Sequence, residues 1–273
     1  MVASNRAIRL MNILYIDCRS GASGDMFLGA FVDLGVPERV LTEGLASLGL
    51  NEFSLDIKKK DYHGIMVTDV DVVVFDKENL RVYPYSGKFR NYKEIKDLIS
   101  ASAIPDTAKI LARKIFDIKA DAESKAHGIP IDEVQFHEAG AIDSIVDIIG
   151  AAICYDYLSV DKAFATPVPT GFGTIQLSWG ELPVPPPAVQ NILADHDIPH
   201  FRSDVEMELL TPTGASILAG ITQKYIDASK MPENINSSDI QETAEEGDAI
   251  LCGRGTGKRD SWLPPLTLIL QKE

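Results

Sequence analysis

A short strand, a glycine-rich turn and an apolar helix follow one another near the start of the chain, and this order constrains the fold most. Residues 12–17 read NILYID, an apolar run of strand character, and residues 18–25 read CRSGASGD. The next residues, MFLGAFVDLGV, place apolar side chains at helical spacing. Segments of strand and helix character alternate through the rest of the chain. This alternation predicts an α/β fold, a mixed β-sheet layered with helices, with an α+β fold as the alternative.

The remaining predicted elements follow the same alternation. Helical spacing of apolar residues predicts helices over residues 37–48, 92–100, 105–127, 139–158, 189–195 and 213–225. Alternating or β-branched runs predict strands over residues 53–59, 67–75, 160–166, 206–210, 249–252 and 266–270. Proline and glycine are so frequent in residues 166–189 that an ordered, turn-rich loop is predicted there. We expect residues 1–10 to be a disordered extension and residues 11–273 to form a single domain.

Charge and cysteine content exclude several classes of protein. The 273 residues include 26 Lys and Arg against 40 Asp and Glu, a formal net charge of −14, so we expect no nucleic-acid partner. No stretch approaches the ~18 apolar residues of a membrane-spanning helix, so we expect no membrane partner. Three cysteines are too few for a disulfide framework and fit a reducing compartment. These features predict a cytoplasmic protein.

The glycine-rich turn is the first candidate binding site. Glycines expose backbone N–H groups, and the helix that follows offers a positive dipole end, which together suit a phosphate. The residues predicted to bind a cofactor here are Ser20, Gly21, Ser23, Gly24 and Asp25. Asp17 precedes the turn, and two carboxylates beside a phosphate favour a bridging divalent cation. The structural alternative is that Ser23 caps the helix and the glycines only form the turn.

The second candidate lies at the start of the helix predicted over residues 139–158. His137 and Glu138 directly precede this helix, and Asp143 and Asp147 lie in its first turns. The helix dipole accounts for the two aspartates, because acidic side chains stabilise a helix N-terminus. It does not account for His137 and Glu138 at the same end. A cation site or a proton-transfer site would use all of these groups.

Glu123 and His127 form a third candidate, near the end of the helix predicted over residues 105–127. They are four residues apart and therefore face the same side of the helix. A histidine in a last helical turn also interacts with the helix dipole, which is the structural alternative. Gly128 and Pro130 could fold His127 towards His137, which strengthens the interpretation as a metal site.

Two further segments could hold an anion. Thr211, Thr213 and Gly214 enter a helix with free N–H groups, although Thr211 as the cap and a proline at the first helical position explain them structurally. Arg254, Lys258 and Arg259 concentrate positive charge in a glycine-rich turn on an otherwise acidic chain. These cations could neutralise a phosphate, and the alternative is a solvated hairpin turn.

Five segments, in this order, resemble the LarC family of nickel-insertion proteins. They are DCRSGASGDMFLGAFVDLGV, QFHEAGAIDSIVDIIGAA, PVPTGFGT with GELPVPPPA, LLTPTGAS and GRGTGKRD. The resemblance implies insertion of nickel into pyridinium-3,5-bisthiocarboxylic acid mononucleotide, with nickel–carbon and nickel–sulfur bonds, to complete the nickel-pincer cofactor of lactate racemase. It also implies hydrolysis of CTP, with manganese or magnesium assisting.

The resemblance covers the N-terminal part of the family's chains. Full-length members continue beyond the position of Glu273 into a further domain that holds CTP, and in some members this half is a separate product. The resemblance therefore implies a separately encoded C-terminal half as partner, and a homo-oligomer is compatible with it. The chain lacks histidines that members carry at Gln135, at Trp179 and within residues 81–92. Fewer imidazoles predict weaker nickel binding.

The leading hypothesis is a LarC-like protein that acts, with its partner half, as a nickel chelatase. Its predicted catalytic residues are His137, Glu138 and Asp143. Its predicted metal ligands are Asp17, Glu123, His127, His137, Glu138 and Asp143. Its predicted cofactor-binding residues are Ser20, Gly21, Ser23, Gly24, Asp25, Thr211, Thr213, Gly214, Arg254, Lys258 and Arg259. Two alternatives are a non-catalytic assembly subunit that binds metal or nucleotide, and a metal-dependent phosphohydrolase.

Overall fold

The computed structural model describes residues 10–75, 90–136, 140–177, 180–232, 250–258 and 262–273. Its strands are β1 (Asn12–Asp17), β2 (Phe53–Tyr62), β3 (Ile65–Val74), β4 (Arg90–Asn91), β5 (Gln135–Phe136), β6 (Lys162–Ala165), β7 (Val168–Pro169), β8 (Thr174–Leu177), β9 (Gly180–Pro183), β10 (His200–Phe201), β11 (Lys224–Tyr225), β12 (Ile250–Thr256) and β13 (Leu266–Lys272). Its α-helices are α1 (Gly24–Asp33), α2 (Glu38–Ala46), α3 (Tyr92–Ala101), α4 (Asp106–His127), α5 (Gly140–Tyr157), α6 (Pro187–Asp195) and α7 (Pro212–Ile221).

A mixed sheet of seven strands lies at the centre of the described residues, in the order β11-β6-β1-β13-β12-β3-β2. Strand β1 pairs in parallel with β6 and antiparallel with β13, where Leu14 lies opposite Leu270. Strand β12 is antiparallel to β13 and parallel to β3. This mixed sheet with its helices confirms the predicted α/β class.

Helix α1 connects the sheet to the other helices. It contacts β12 and β3, and it also contacts α5, which packs against α4. Glycines permit the approach of β12 to α1, because a Cβ on Gly253 would overlap the carbonyl oxygen of Ala30 and one on Gly255 would overlap that of Met26. Helix α4 contacts α6 and α7 in turn. The N-termini of α1, α5 and α7 are thereby held in one packed group.

The predicted strand over residues 206–210 is wrong. Within the described residues this segment forms a single parallel bridge, between Leu210 and Ala22. The Ala22 N–H donates to the carbonyl of Leu209 at 2.9 Å, and the Thr211 N–H donates to that of Ala22 at 3.1 Å. The backbone donors and acceptors of this segment are therefore used to hold the glycine-rich turn, and not to extend a sheet.

Two predicted boundaries also differ from the structure. The helix predicted to reach residue 225 ends at Ile221, and Lys224–Tyr225 instead forms β11 beside β6. The segment interpreted as a glycine-rich hairpin turn is partly strand, because β12 continues to Thr256. Its glycines lie against α1. The strand is therefore extended by packing on a helix that is distant in sequence, which the local pattern does not show.

Among the described helices, none combines the length and the hydrophobicity needed to cross a lipid bilayer.

Candidate functional site

A cavity of about 420 Å³ lies where the N-termini of α1 and α7, the first turns of α5 and the end of β12 meet. Several residues predicted from sequence line it: Ser20, Ser23, Gly24, Asp25, Asp143, Thr211, Thr213 and Lys258. Asp147 and Ser144 also line it. The fold thus brings together four segments that are far apart in sequence.

The glycines of the candidate segments have clear packing roles. Gly21 adopts a φ of +104°, and a Cβ on it would overlap the carbonyl oxygen of Leu209. A Cβ on Gly24 would overlap the carboxylate of Asp147, and one on Gly214 would overlap the carbonyl oxygen of Ala22. The structural alternative accounts for all three, and their predicted role in cofactor binding stays a prediction.

Lys258 links the carboxylates of the cavity. Its ammonium donates to Asp143 Oδ2 at 2.8 Å and lies 3.6 Å from Asp71 Oδ1, while its backbone N–H donates to Asp25 Oδ2 at 3.1 Å. Asp25 also accepts a hydrogen bond from the Ser23 hydroxyl. Burial acts to lower the pKa of Lys258, but the surrounding carboxylates, Asp143 first, raise it above its ordinary value. Lys258 is therefore a charged, partly exposed counter-ion to these carboxylates.

Two buried carboxylate oxygens in this wall lack a hydrogen-bond partner among the described residues. They are Asp143 Oδ1 and Asp147 Oδ1. Asp147 is buried, with 7% of its surface exposed. Burial, followed by the charges of Asp25 and Asp143, raises the pKa of Asp147 well above its ordinary value. Burial also raises the pKa of Asp143, although Lys258 opposes this. Binding of a cation or a proton at this wall would therefore be favourable, because it would neutralise the buried carboxylates.

Lys119 lies buried beneath the cavity and was missed by the sequence analysis. Its ammonium donates to Ser144 Oγ at 2.6 Å and to Thr213 Oγ1 at 2.9 Å, so it supports two side chains of the cavity wall. It also lies 5.7 Å from the centre of the Phe136 ring. Burial lowers the pKa of Lys119. The available signal was helical spacing, because Lys119 lies four residues after Ile115 and three before Ala122, on the buried face of α4.

We expect Lys119→Ala to lower the free energy of unfolding by about 2–3 kcal/mol, because it removes a buried stem and the partner of two hydroxyls. Lys119→Met keeps the stem, and Ser144 Oγ and Thr213 Oγ1 lie 3.1 Å apart, close enough to bond to each other. The Met variant should therefore lose less than half as much. Urea denaturation measures both variants, and equal losses would contradict this account of the network.

Other predicted residues lie away from the cavity lining. Asp17 forms a two-point ion pair with Arg19, at 2.8 and 2.7 Å. Glu123 and His127 contact each other, with Oε2 and Nε2 3.7 Å apart. Arg254 is buried in β12, where its N–H donates to Asp33 Oδ2 at 2.7 Å. Predicted residues His137, Glu138 and Arg259, and the departure at Trp179, lie outside the described residues.

The predicted metal ligands are not gathered in the part of the chain that the structure describes. There, no group of three or more His, Cys, Asp or Glu side chains is arranged to hold a metal ion. The reason is local pairing: Asp17 is held by Arg19, Glu123 faces His127, and Asp143 is bound by Lys258. Of these ligands, Asp143 alone is a described residue of the cavity wall.

Comparison with known proteins identifies relatives of this chain. A family model described as nickel insertion protein matches residues 14–240. A pyridinium-3,5-bisthiocarboxylic acid mononucleotide nickel insertion protein of Acetivibrio thermocellus is 46% identical over 215 residues, which are 79% of this chain and 53% of the relative. A protein of the same name from Clostridium kluyveri is 40% identical over 258 residues, 93% of this chain and 60% of the relative.

A putative nickel insertion protein of Maridesulfovibrio salexigens is 41% identical over 241 residues, covering 81% of this chain and 57% of the relative. The chain spans about half the length of the curated relatives it matches. No solved structure matches it. The family match covers most of the chain and agrees with the relatives' names, so the chain belongs to the nickel insertion protein family.

Proposed function

We propose that the chain acts as the N-terminal half of a nickel-insertion enzyme, and that the acidic cavity receives nickel and the cationic ring of a pyridinium mononucleotide. The names of the relatives supply this class of substrate. The observation that carries the proposal is the pair of buried, unpartnered oxygens of Asp143 and Asp147 in the cavity wall. An unpaired buried carboxylate is costly, and an incoming cation would remove that cost.

Charge selects which part of the substrate fits. The lining contains Asp25, Asp143, Asp147 and Glu208 against the single ammonium of Lys258. Carboxylates attract the pyridinium ring and Ni²⁺ and repel a phosphate. Nickel favours imidazole as well, so His137 and Glu138 remain its predicted ligands together with Asp143. The cavity is accordingly proposed to hold the ring, with the phosphate directed away from these carboxylates.

A nickel–carbon bond, which the resemblance to the LarC family implies, requires a proton acceptor. When the ring carbon bonds to nickel, its C–H electron pair goes to the metal and the proton must leave. We assign the acceptor to the carboxylate form of Asp147, whose Oδ1 has no hydrogen-bond partner among the described residues. The raised pKa of Asp147 makes this carboxylate a stronger base than an ordinary aspartate. Lys119 holds the adjacent hydroxyls of Ser144 and Thr213 in place below it.

CTP is proposed to bind elsewhere in the assembled enzyme. The carboxylates of the cavity suit a divalent cation such as manganese or magnesium but would repel a triphosphate. CTP is therefore assigned to a separate C-terminal half, as the resemblance implies, and a homo-oligomer of this chain is compatible with this division. The free thiols of Cys18, Cys154 and Cys252 support a cytoplasmic location.

Reconstitution tests this function. The purified chain is mixed with a C-terminal half from a relative, the thiocarboxylated mononucleotide, Ni²⁺, CTP and Mg²⁺ or Mn²⁺, and the mononucleotide is analysed by mass spectrometry. We expect the mass of one nickel to be added only when both halves are present. His137→Ala should lower the yield at least about tenfold, because nickel loses an imidazole ligand, while Asp121→Asn, at a half-exposed position of α4 away from the cavity, should leave it unchanged.

The same experiment separates the alternatives. Insertion that is unaffected in every cavity variant would favour a non-catalytic assembly subunit, in which the partner half does the chemistry. Release of phosphate from simple phosphoesters by this chain alone, without the mononucleotide, would favour a metal-dependent phosphohydrolase. Either result would overturn the proposed function.

A further inference from the structure

A second cavity, of about 640 Å³, lies beside the strand pair β7-β10 and the start of α6. Its wall includes Phe172, Gln190, His200, Phe201 and Arg202. None of its lining residues lines the acidic cavity. It is therefore a separate place on the molecule, and the function proposed above makes no use of it.

The charge of this second cavity is opposite to that of the first. Its lining holds one arginine and one histidine and no carboxylate, on a chain whose net charge is −14. Glu206 lies near its edge, with Cγ 3.0 Å from the position of a Cβ on Gly173. A cavity whose charged side chains are basic attracts anions, even on a protein with a negative net charge.

Arg202 is held in place but has unused donors. Its guanidinium carbon lies over the Phe172 ring, 5.1 Å from the ring centre, a cation–π contact that favours this position of the group. It has no hydrogen bond or ion pair with any other residue that the structure describes. A planar guanidinium with free N–H groups is suited to two-point binding of a phosphate.

The neighbouring side chains complete a mixed aromatic and basic surface. His200 Nδ1 lies 2.9 Å from the carbonyl oxygen of Ile198, which orients the ring and leaves Nε2 for a ligand. The adjacent Phe201 is 47% exposed, so its ring is accessible to a ligand. An exposed phenyl ring beside a phosphate-binding cation is the combination on which a nucleobase stacks.

We propose that the second cavity binds a nucleotide, with its phosphate on Arg202 and His200 and its base on Phe201. A base and a phosphate on one molecule fit this arrangement, because the cation and the exposed ring are neighbours in sequence and line one concavity. The proposal does not depend on nickel insertion, since it uses none of the residues assigned to that reaction.

Isothermal titration of the whole chain with AMP, CMP and inorganic phosphate, without metal, tests the proposal. Both nucleotides should bind more tightly than phosphate. Arg202→Ala should weaken nucleotide binding at least about tenfold, as expected for loss of a charge-assisted contact. Phe201→Ala should weaken the binding of both nucleotides about fivefold or more and leave the binding of phosphate unchanged. Arg39→Ala, an exposed arginine of α2, is the matched control and should bind like the parent chain. All three replaced side chains are exposed, and thermal melting checks that each variant folds.

Failure of this proposal is distinguishable from failure of the proposed function, because the titration needs neither nickel nor a partner half. Absence of nucleotide binding at millimolar concentration would overturn it. So would equal effects of Arg202→Ala and Arg39→Ala. Binding that is lost in Asp147→Asn but kept in Arg202→Ala would place the nucleotide in the acidic cavity and contradict the assignment.

Discussion

Asp147→Asn is expected to stabilise the protein at neutral pH by about 1–3 kcal/mol, because an amide cannot ionise and so avoids the cost of a buried charge beside other carboxylates. The raised pKa of Asp147 means that the folded chain keeps this proton more tightly than the unfolded chain. Below the ordinary value of 3.8 both states are protonated and the penalty is absent. As the pH rises above that value, the folded state binds more protons than the unfolded state, so the free energy of unfolding falls. This loss of stability levels off above the raised pKa, where both states have lost the proton.

The same substitution should lower the rate of nickel insertion by about 100-fold or more, because an amide cannot accept the proton of the ring carbon. Urea denaturation between pH 4 and pH 8, in steps of ~1 pH unit, measures the stability effect across the window in which an acidic group with a raised pKa titrates. Asp121→Asn removes only a half-exposed ion pair with Lys125 and is the control: it should change stability by no more than about 0.5 kcal/mol and leave the insertion rate unchanged. A variant that is less stable than the parent chain at every pH, or fully active, would contradict the role given to Asp147.

Gly255→Ala is expected to destabilise the fold by about 3 kcal/mol or more, through overpacking. A Cβ here would overlap the carbonyl oxygen of Met26, and it would lie 2.5 Å from the backbone nitrogen of Ala30. Both atoms belong to the backbone of α1, which cannot rotate away as a side chain can. Strand β12 would have to move away from the helix and would take Lys258 out of the cavity, so insertion activity should fall as well.

Gly257→Ala is the matched control for this prediction. The nearest atoms to a Cβ at Gly257 are 3.4 Å away and belong to the side chains of Met26 and Ser23, which can adjust. Its effect should stay within about 0.5 kcal/mol, typical of a surface substitution. Thermal and urea unfolding of both variants measure the difference. Equal stability of the two would show that β12 does not rest on α1 as described.

The sequence predicts best where neighbouring residues decide the structure. Strand β1, the glycine-rich turn and helix α1 follow from local pattern, and the cap of α7 is as expected, with Thr211 accepting a hydrogen bond from the Gly214 N–H at 3.1 Å. The sequence also predicts that acidic residues lie at the start of α5. Each of these lies at a helix N-terminus, and packing of the helices brings those termini together.

Features that depend on contacts between distant parts of the chain could not be predicted from the local sequence pattern. Helical spacing places Lys119 on the inner face of α4, but its hydrogen bonds to Ser144 of α5 and Thr213 of α7 depend on how the helices pack. The sequence predicts that Arg254 belongs to an exposed basic turn, but the two glycines beside it allow β12 to pack on α1 and bury it. The segment 206–210 has the composition of a strand, yet its backbone bonds to Ala22 and Thr170. In all three cases tertiary contacts add to or override the local pattern.

Anomalous scattering at the nickel edge, from crystals of the chain grown with Ni²⁺ and the thiocarboxylated mononucleotide, tests the central claim most directly. The account predicts one strong nickel peak inside the acidic cavity, next to the carboxylates of Asp143 and Asp147, with the pyridinium ring beside it. A nickel peak at Glu123 and His127, with no density for metal or ring between α1, α5 and β12, would contradict it.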